Sequence, residues 1–364
     1  MKVIQVGLIG FGTVGQGLAE VLLTQQKRLP KRTGMSIVLA GIADKSGKAL
    51  PERFQNIPLV TDGRELIKDP NIDIIVELIG GIEPAKTLVL EAIAAGKHVV
   101  TANKALLSQE GKDIFAADAA KGVAVGFEAS VGGGIPVLKT LREGLVANKI
   151  LSIIGIMNGT ANYILSRMTD EGIAFADVLA EAQRLGFAEA DPSYDVEGID
   201  TAHKLAILMS MAYGMHITHK EICTEGISQI EPLDIEMASE FGYRIKLLAI
   251  SRNHGDHVEA RVHPTMVPQG HLLASINGAY NAIQFHGDCA GNILLYGLGA
   301  GKVPTGSAVA ADVVDIARDI EYKCVGRVPP LAYLPSQLIS RRVPSMDALL
   351  VPYYSPFLLL DQPG

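Results

Sequence analysis

Apolar residues recur at two different spacings along this chain, and the change of spacing divides it. Residues 3–9 (VIQVGLI) form a short β-rich run that stops at Gly10, and residues 14–23 place apolar positions at helical spacing. A polar insertion, TQQKRLPKRTG, precedes a second strand-like run over 37–43. Further buried strands are predicted over 73–81, 98–104 and 122–130, with a helical segment over 84–95 between the first two. This alternation predicts an α/β fold whose first unit, residues 1–135, is a doubly wound parallel sheet.

Past SVGGGIP (130–136) the texture changes. A helix is predicted over 137–145, a strand over 150–158, helices over 163–169 and 175–185, and an apolar helix over 199–215. EARVHPTMV and NAIQFHGD alternate as strands with one exposed face do. Residues 136–302 therefore read as an α+β domain with an open, partly antiparallel sheet. GLGAGKVPTGSAVAADVVDIARDI then returns to a glycine turn and a long helix, and its 303–320 segment is expected to pack back on the first unit. Residues 321–364 read as a tail, ordered where it lies on the second domain or on a partner subunit.

The first strand and helix are joined by GFGTVG, which sets Gly10, Gly12 and Gly15 in G-x-G-x-x-G spacing. Between a strand and a helix this spacing has a mechanism: a tight turn, close backbone approach to a pyrophosphate, and close helix–strand packing. The helix N-terminus then offers N–H groups and the positive end of its dipole to the phosphates. A dinucleotide site is expected there. Asp44, at the end of the 37–43 strand, fits the place of a carboxylate that holds ribose hydroxyls and favours NAD. Lys45 beside it suits a 2′-phosphate, so NAD and NADP both stay open. The 98–104 strand ends in Thr101, Ala102, Asn103 and Lys104, which its position puts at the mouth of the same crevice.

Composition narrows the setting. The chain has 364 residues, 48% hydrophobic, with a net charge of -7 and no Trp, enough for two domains. No block of Lys and Arg suggests nucleic acid. Cys223, Cys289 and Cys324 lie far apart and form no CxxC, which suits a reducing cytoplasm better than a disulfide or zinc framework. No apolar run reaches membrane-spanning length, and glycines interrupt the only segment resembling a secretory leader.

Candidate chemistry gathers in GFAEADPSYDVEGIDTAHK, where Glu189, Asp191, Asp195, Glu197 and Asp200 precede Lys204. Asp200 and Lys204 are four residues apart on one helix face. An ammonium in an apolar helix is a partly exposed ion pair or a buried group with a task. The acids read either as a solvated loop or as a pocket for a substrate ammonium; the spacing of a calcium-binding EF-hand is missing. There is no G-x-S-x-G and no HExxH, and EASVGGGIP lacks the cysteine an acylating aldehyde dehydrogenase would use. Any aldehyde handled by this chain is expected to exchange with an alcohol.

The motifs GFGTVG, VELIGG, VTANKALL, EASVGGGIP, MNGTANYIL, EADPSYDVEGIDTAHKLAIL and GLGAGKVPTGSAV stand in one order over residues 1–320. In this the chain resembles the homoserine dehydrogenase family. The resemblance implies a Rossmann-type domain joined to a catalytic and dimerisation domain, hence a homodimer. It implies NAD- or NADP-dependent interconversion of L-homoserine and L-aspartate 4-semialdehyde, in threonine, methionine and isoleucine biosynthesis. By motif position it implies Lys204 as proton donor and acceptor beside Asp200, Glu189 on the substrate amino group with Asp195 nearby, and Lys104 between cofactor and substrate. Phe11, Thr13, Val14, Gly186 and Gly301 are implied to touch the dinucleotide. A monovalent cation, usually sodium, is implied on the Glu128 carboxylate and the carbonyls of Val131, Gly133 and Ile135. The physical reading agrees for Lys204, since reducing an aldehyde needs a charged ammonium and oxidising an alcohol needs a neutral one.

Two rivals share parts of this pattern. An amine-oxidising amino-acid dehydrogenase has the same two-domain plan, and a non-catalytic NAD(P) sensor would keep the fold alone; the presence of both Lys104 and Lys204 argues against the sensor. Many bacterial members of the family continue into a regulatory ACT domain, and PYYSPFLLLDQPG (352–364) resembles its opening strand. The tail is therefore expected to hold an incomplete ACT unit, and catalysis free of feedback inhibition by threonine is the matching expectation.

Overall fold

The computed structural model describes residues 1–355. Its first sheet holds β1 (Lys2–Ile9), β2 (Met35–Ala43), β3 (Leu59–Val60), β4 (Ile74–Glu77), β5 (His98–Thr101) and β6 (Val125–Gly126). They run in the order β3-β2-β1-β4-β5-β6 with every pairing parallel. Parallel strands need covering on both faces, which is why β4 is buried at every position. The chain winds outward in opposite directions from β1, toward β2 on one side and β4 on the other. That reversal opens a crevice at the strand C-termini.

Helix Thr13–Thr24 packs against helix Lys302–Tyr322, which returns from far along the chain to complete the covering of this sheet. Two glycines permit the approach. A Cβ on Gly17 would strike the Lys302 carbonyl, and one on Gly306 would strike the Gly17 backbone.

The second sheet contains β7 (Ile150–Ile156), β8 (Cys223–Thr224), β9 (Tyr243–Asn253), β10 (Val258–Pro268), β11 (Tyr280–Gly287) and β12 (Gly291–Leu298). Its order is β12-β11-β7-β9-β10-β8, antiparallel except where β10 meets β8. Helices Gly159–Glu171, Phe175–Arg184 and Ile199–Tyr213 contribute to one large core together with β7 and β9. Ile156, Leu248, Ile250, Leu273 and Ala282 form a separate, smaller cluster. The α/β class and the open mixed sheet agree with the pattern of the sequence.

Several predicted elements change on folding. The apolar run over 98–104 is a strand only as far as Thr101, and Lys104 starts an 18-residue helix, Lys104–Lys121. The Asn103 side chain accepts from Leu106 N and caps that helix, so Lys104 stands at a helix start and does not close a strand. The run over 73–81 ends as a strand at Glu77, because Gly80 and Gly81 turn the chain with φ of 75° and 72°. In 122–130 only Val125–Gly126 pairs, and Glu128–Ser130 is a tight helical turn. The predicted 137–145 helix is Val137–Lys139 followed by a wide turn, Thr140–Gly144.

Past Tyr322 the chain lies along the body as far as Arg342. Leu331 is buried, the Tyr333 hydroxyl donates to the Ala212 carbonyl at 3.3 Å, and Ile339 and Arg342 bridge to Met215 and His257. Residues 352–355 form no strand, and the rest of the stretch that resembles an ACT opening, 356–364, lies outside the described residues. Among the described residues no helix is long and apolar enough to cross a membrane.

The glycine contact between the two helices makes a prediction. Gly306→Ala raises intrinsic helix propensity, yet the added methyl has no room, so stability should fall by about 1–3 kcal/mol as in other overpacked interiors. A denaturant titration measures this, and an unchanged midpoint would place the two helices further apart.

Candidate active site

The crevice at the strand ends is built first from backbone. Gly10 has φ of 99°, and a Cβ there would come within 2.7 Å of the Leu78 carbonyl. A Cβ on Gly15 would strike the Gly10 carbonyl, whereas nothing lies within 4 Å of the place a Gly12 Cβ would take. The turn is thus closed on its protein side and open in front of Gly12. Thr13 and Val14 begin the helix, whose N-cap is Gly12 with no side chain to satisfy its first N–H groups. Those donors and that open space fit a dinucleotide pyrophosphate.

Asp44 lies at the edge of this turn. Its Oδ2 accepts from Phe11 N at 2.9 Å and its Oδ1 from Ser46 N at 2.8 Å. Hydrogen bonds from Ser46 and Phe11 outweigh the cost of its partial burial and hold its carboxyl below the ordinary value. Gly301, with φ of 120°, directly precedes Lys302–Tyr322, and Gly186 lies in an exposed left-handed turn after Phe175–Arg184. Neither glycine hydrogen-bonds to the 10–15 turn.

Across the crevice, helix Ile199–Tyr213 carries a buried carboxylate between two ammonium groups. Asp200 Oδ2 is 2.7 Å from Lys204 Nζ, and Asp200 Oδ1 is 2.9 Å from Lys104 Nζ. Lys204 also donates to the Met157 carbonyl at 2.6 Å, a carbonyl that accepts from Asn281 Nδ2 as well. Asn158 Nδ2 donates to both Asp195 Oδ1 (2.7 Å) and Asp200 Oδ2 (2.9 Å), while its Oδ1 caps Gly159–Glu171. Asp195, Asp200, Lys104 and Lys204 are therefore one connected group. Glu189 is exposed and acts on Lys104 through its charge.

The charges divide the two lysines. Burial pulls the Lys204 ammonium below the ordinary lysine value and the neighbouring Lys104 charge adds to this, with Asp200 opposing. For Lys104 burial also works downward, but Asp200, Asp195 and Glu189 together raise it. Burial works to raise Asp200, and the two ammonium groups overcome it and hold the carboxyl well below the carboxylate range. Asp195 lies higher than usual because it is buried, despite its bond from Asn158.

A second contact ties the same two helices. The Ser108 hydroxyl, one turn beyond Lys104, hydrogen-bonds His203 Nδ1. Burial and the adjacent His219 bring His203 down to about 4, so its ring is neutral and able to accept. Tyr194 stacks on His203, and Lys104 Nζ lies 5.7 Å from the Tyr194 ring centroid.

Glu128 is buried just past the end of β6. Both its oxygens accept backbone N–H groups, from Leu138 at 2.8 Å and Lys139 at 2.9 Å. Burial pushes its carboxyl up to about 7, and Asp312 pushes in the same direction. Val131, Gly133 and Ile135 are buried in the turn that follows. Among the described residues no cluster of three or more His, Cys, Asp or Glu could hold a metal ion.

Sequence reasoning singled out Lys104, Asp195, Asp200 and Lys204, which the fold brings together. It missed Asn158, Asn281, Ser108 and His203. Asn158 had a signal only as a helix cap, and the others had none, since their partners lie 95–124 positions away for Ser108 and Asn281.

The buried group predicts its own pH dependence. Asp200→Asn strands two ammonium groups, which should cost about 3–5 kcal/mol at neutral pH. The parent carboxyl titrates below its unfolded value of about 3.9, so its contribution is full above that value and is lost as pH falls through the folded one. Unfolding measured at neutral and at strongly acidic pH should show the deficit of the variant shrinking in acid; an equal deficit at both would separate the loss from charge.

Comparison with known proteins gives the family. Residues 10–128 match the family model described as homoserine dehydrogenase, NAD binding domain, and residues 136–314 match the homoserine dehydrogenase model. The homoserine dehydrogenase of Neisseria gonorrhoeae is 46% identical, with 100% of this chain and 84% of that protein covered. That of Pseudomonas aeruginosa is 47% identical with the same coverage. The crystal structure of a homoserine dehydrogenase from Thiobacillus denitrificans superposes with a TM-score of 0.91 at 50% identity, over 96% of this chain and 81% of that one. A hyperthermophilic archaeal homoserine dehydrogenase in complex with NADPH has a TM-score of 0.74 at 26% identity, over 86% of this chain and 98% of that one. With matching sequence models over both sheets, and close relatives along its whole length, the chain belongs to the homoserine dehydrogenase family of NAD(P)-dependent oxidoreductases.

Proposed function

We propose that this chain interconverts L-homoserine and L-aspartate 4-semialdehyde with Lys204 as the proton donor and acceptor. The observation that carries the reading is the Lys104–Asp200–Lys204 chain at the crevice mouth, buried at Asp200 and Lys204. Lys204 is held by Asp200 and the Met157 carbonyl, so its third N–H is left for a substrate oxygen. Its lowered affinity for protons suits a group that must work in both protonation states. Lys104 keeps its charge and orients the substrate from the coenzyme side, while Glu189 and Asp195 face the substrate amino group. When bound, the coenzyme supplies or takes up a hydride at its nicotinamide.

The coenzyme is cradled by Gly10, Phe11, Gly12, Thr13, Val14 and Gly15, with Asp44, Ala102, Asn103, Gly186 and Gly301 around it. We favour NAD, because the Asp44 carboxylate keeps lone pairs for ribose hydroxyls and repels a 2′-phosphate. A sodium ion on Glu128 and the carbonyls of Val131, Gly133 and Ile135 would supply the positive charge that the buried Glu128 carboxyl lacks. The working units are a nucleotide domain over 1–135 completed by 303–320, a catalytic and dimerisation domain over 136–302, and a tail over 321–364. A homodimer is supported by exposed Tyr280, Tyr296 and Leu298 on the β11–β12 hairpin. Three unpaired cysteines suit the cytoplasm, where the product would feed threonine, methionine and isoleucine synthesis.

The direct test is an absorbance assay with L-homoserine and each coenzyme, with and without sodium. Lys204→Ala should lower kcat by roughly 10²–10⁴ with coenzyme affinity little changed, and homoserine oxidation by the parent should rise toward alkaline pH. Near-normal turnover in the variant would move proton transfer to another group. Asp44→Ser should improve kcat/KM with NADP relative to NAD; a strong native preference for NADP, unchanged in the variant, would remove Asp44 from the ribose.

A further inference from the structure

One fully buried carboxylate is not used by the reaction. Glu77 ends β4, paired in register with Thr101 at the end of β5. A buried carboxylate is costly unless its lone pairs are satisfied. Glu77 forms no salt bridge among the described residues and is satisfied by the loop that follows β4 and by the last residue of β5. Its Oε1 accepts from Ile79 N at 2.8 Å and Gly80 N at 3.3 Å, and its Oε2 accepts from the Thr101 hydroxyl at 2.7 Å.

The contacts continue outward from there. Thr101 Oγ1 accepts from Asn103 N at 3.0 Å. Asn103 Nδ2 donates to the Gly81 carbonyl at 2.6 Å, closing a ring between the two loops. Asn103 Oδ1 accepts from Leu106 N at 3.1 Å and so caps the helix whose first residue is Lys104. On the other side Leu78 N donates to the Ile9 carbonyl at 2.8 Å, which sets the 78–81 turn against the glycine turn. A single acceptor group thus joins the wall of the coenzyme crevice to the backbone that presents Lys104.

We propose that Glu77 is a positioning residue, its buried carboxylate setting both the 78–81 turn beside the coenzyme and, through Thr101 and Asn103, the placement of Lys104. The proposal rests on the reading of the crevice as the coenzyme site and of Lys104 as a substrate contact. Glutamine keeps the shape of Glu77 but turns one acceptor into a donor facing Thr101. Valine in place of Thr101 cuts the branch through Asn103 toward Lys104 and leaves the Ile79 and Gly80 bonds to Glu77 in place.

The test compares Glu77→Gln, Thr101→Val and the double variant. Dissociation constants for NADH and NADPH are measured by fluorescence without substrate, alongside kcat and KM for homoserine. Losing charge-assisted bonds of this kind corresponds to roughly 10- to 100-fold, so Glu77→Gln should weaken coenzyme binding and lower kcat by about that much. Thr101→Val should lower kcat with a smaller loss of coenzyme binding than Glu77→Gln, and the double variant should turn over no worse than Glu77→Gln, since both break one path. Asp73→Asn is the control: Asp73 caps Gln5 N at 2.8 Å at the opposite end of β4 and should cost stability alone. Parent-like coenzyme binding and turnover in Glu77→Gln would overturn the proposal, as would equal losses in Asp73→Asn, which would mark a general folding effect. Should Glu77→Gln fail to fold, parent-like kcat in Thr101→Val overturns it equally. A parent protein that neither bound coenzyme nor oxidised homoserine would overturn the reading of the site, and this proposal with it.

Discussion

The site depends on a carboxylate that has been taken out of water and surrounded by positive charge. Asp200 is almost wholly buried, with Lys104 and Lys204 on its two oxygens. Neither of the two buried charges, Asp200 and Lys204, would be tolerated there alone, because an uncompensated buried ion costs several kcal/mol. Together they balance one another's charge, and the arrangement has a geometric consequence. Lys104 begins a helix of the parallel-sheet unit and Lys204 sits in a helix packed on the mixed sheet. The ion chain, with the Ser108–His203 bond beside it, joins the two halves at the proposed active site.

That joint also separates the behaviour of two chemically identical side chains. Lys104 is partly open to solvent and sees Asp200, Asp195 and Glu189, so it holds its proton more tightly than a free lysine. Lys204 is buried and feels the Lys104 charge, so it holds its proton less tightly. Pairs of titratable groups pushed apart by their surroundings are the usual mark of divided roles in catalysis. The division here comes from depth and from the unequal surroundings of the two ammonium groups, since both lysines share one carboxylate.

The parallel sheet positions its loops by a different means. Gly10, Gly15 and Gly17 are places where backbone or helix approaches too closely for any Cβ. Glu77 does the complementary task with polarity, holding the loop that follows β4 and the end of β5 by accepting from both. Close approach and buried acceptors restrain the crevice without side chains reaching into it, which leaves its front open for a ligand.

Much of this was legible along the chain. The alternation of apolar runs determined the parallel sheet, the glycine spacing determined the turn, and the Asp200–Lys204 interval put both groups on one helix face. These are local properties, carried by periods of two, three and four residues. The ends of elements were not legible, because an apolar run over 98–104 reads the same whether it stays extended or turns into a helix at Asn103. Only the tertiary structure decided that Lys104 would begin that helix and reach Asp200, 96 positions further on by their numbers in the chain. The same is true of Asn158 under Asp195 and of Gly306 against Gly17. Such pairings depend on how whole elements pack, and no local pattern of hydrophobic and polar residues carries that information.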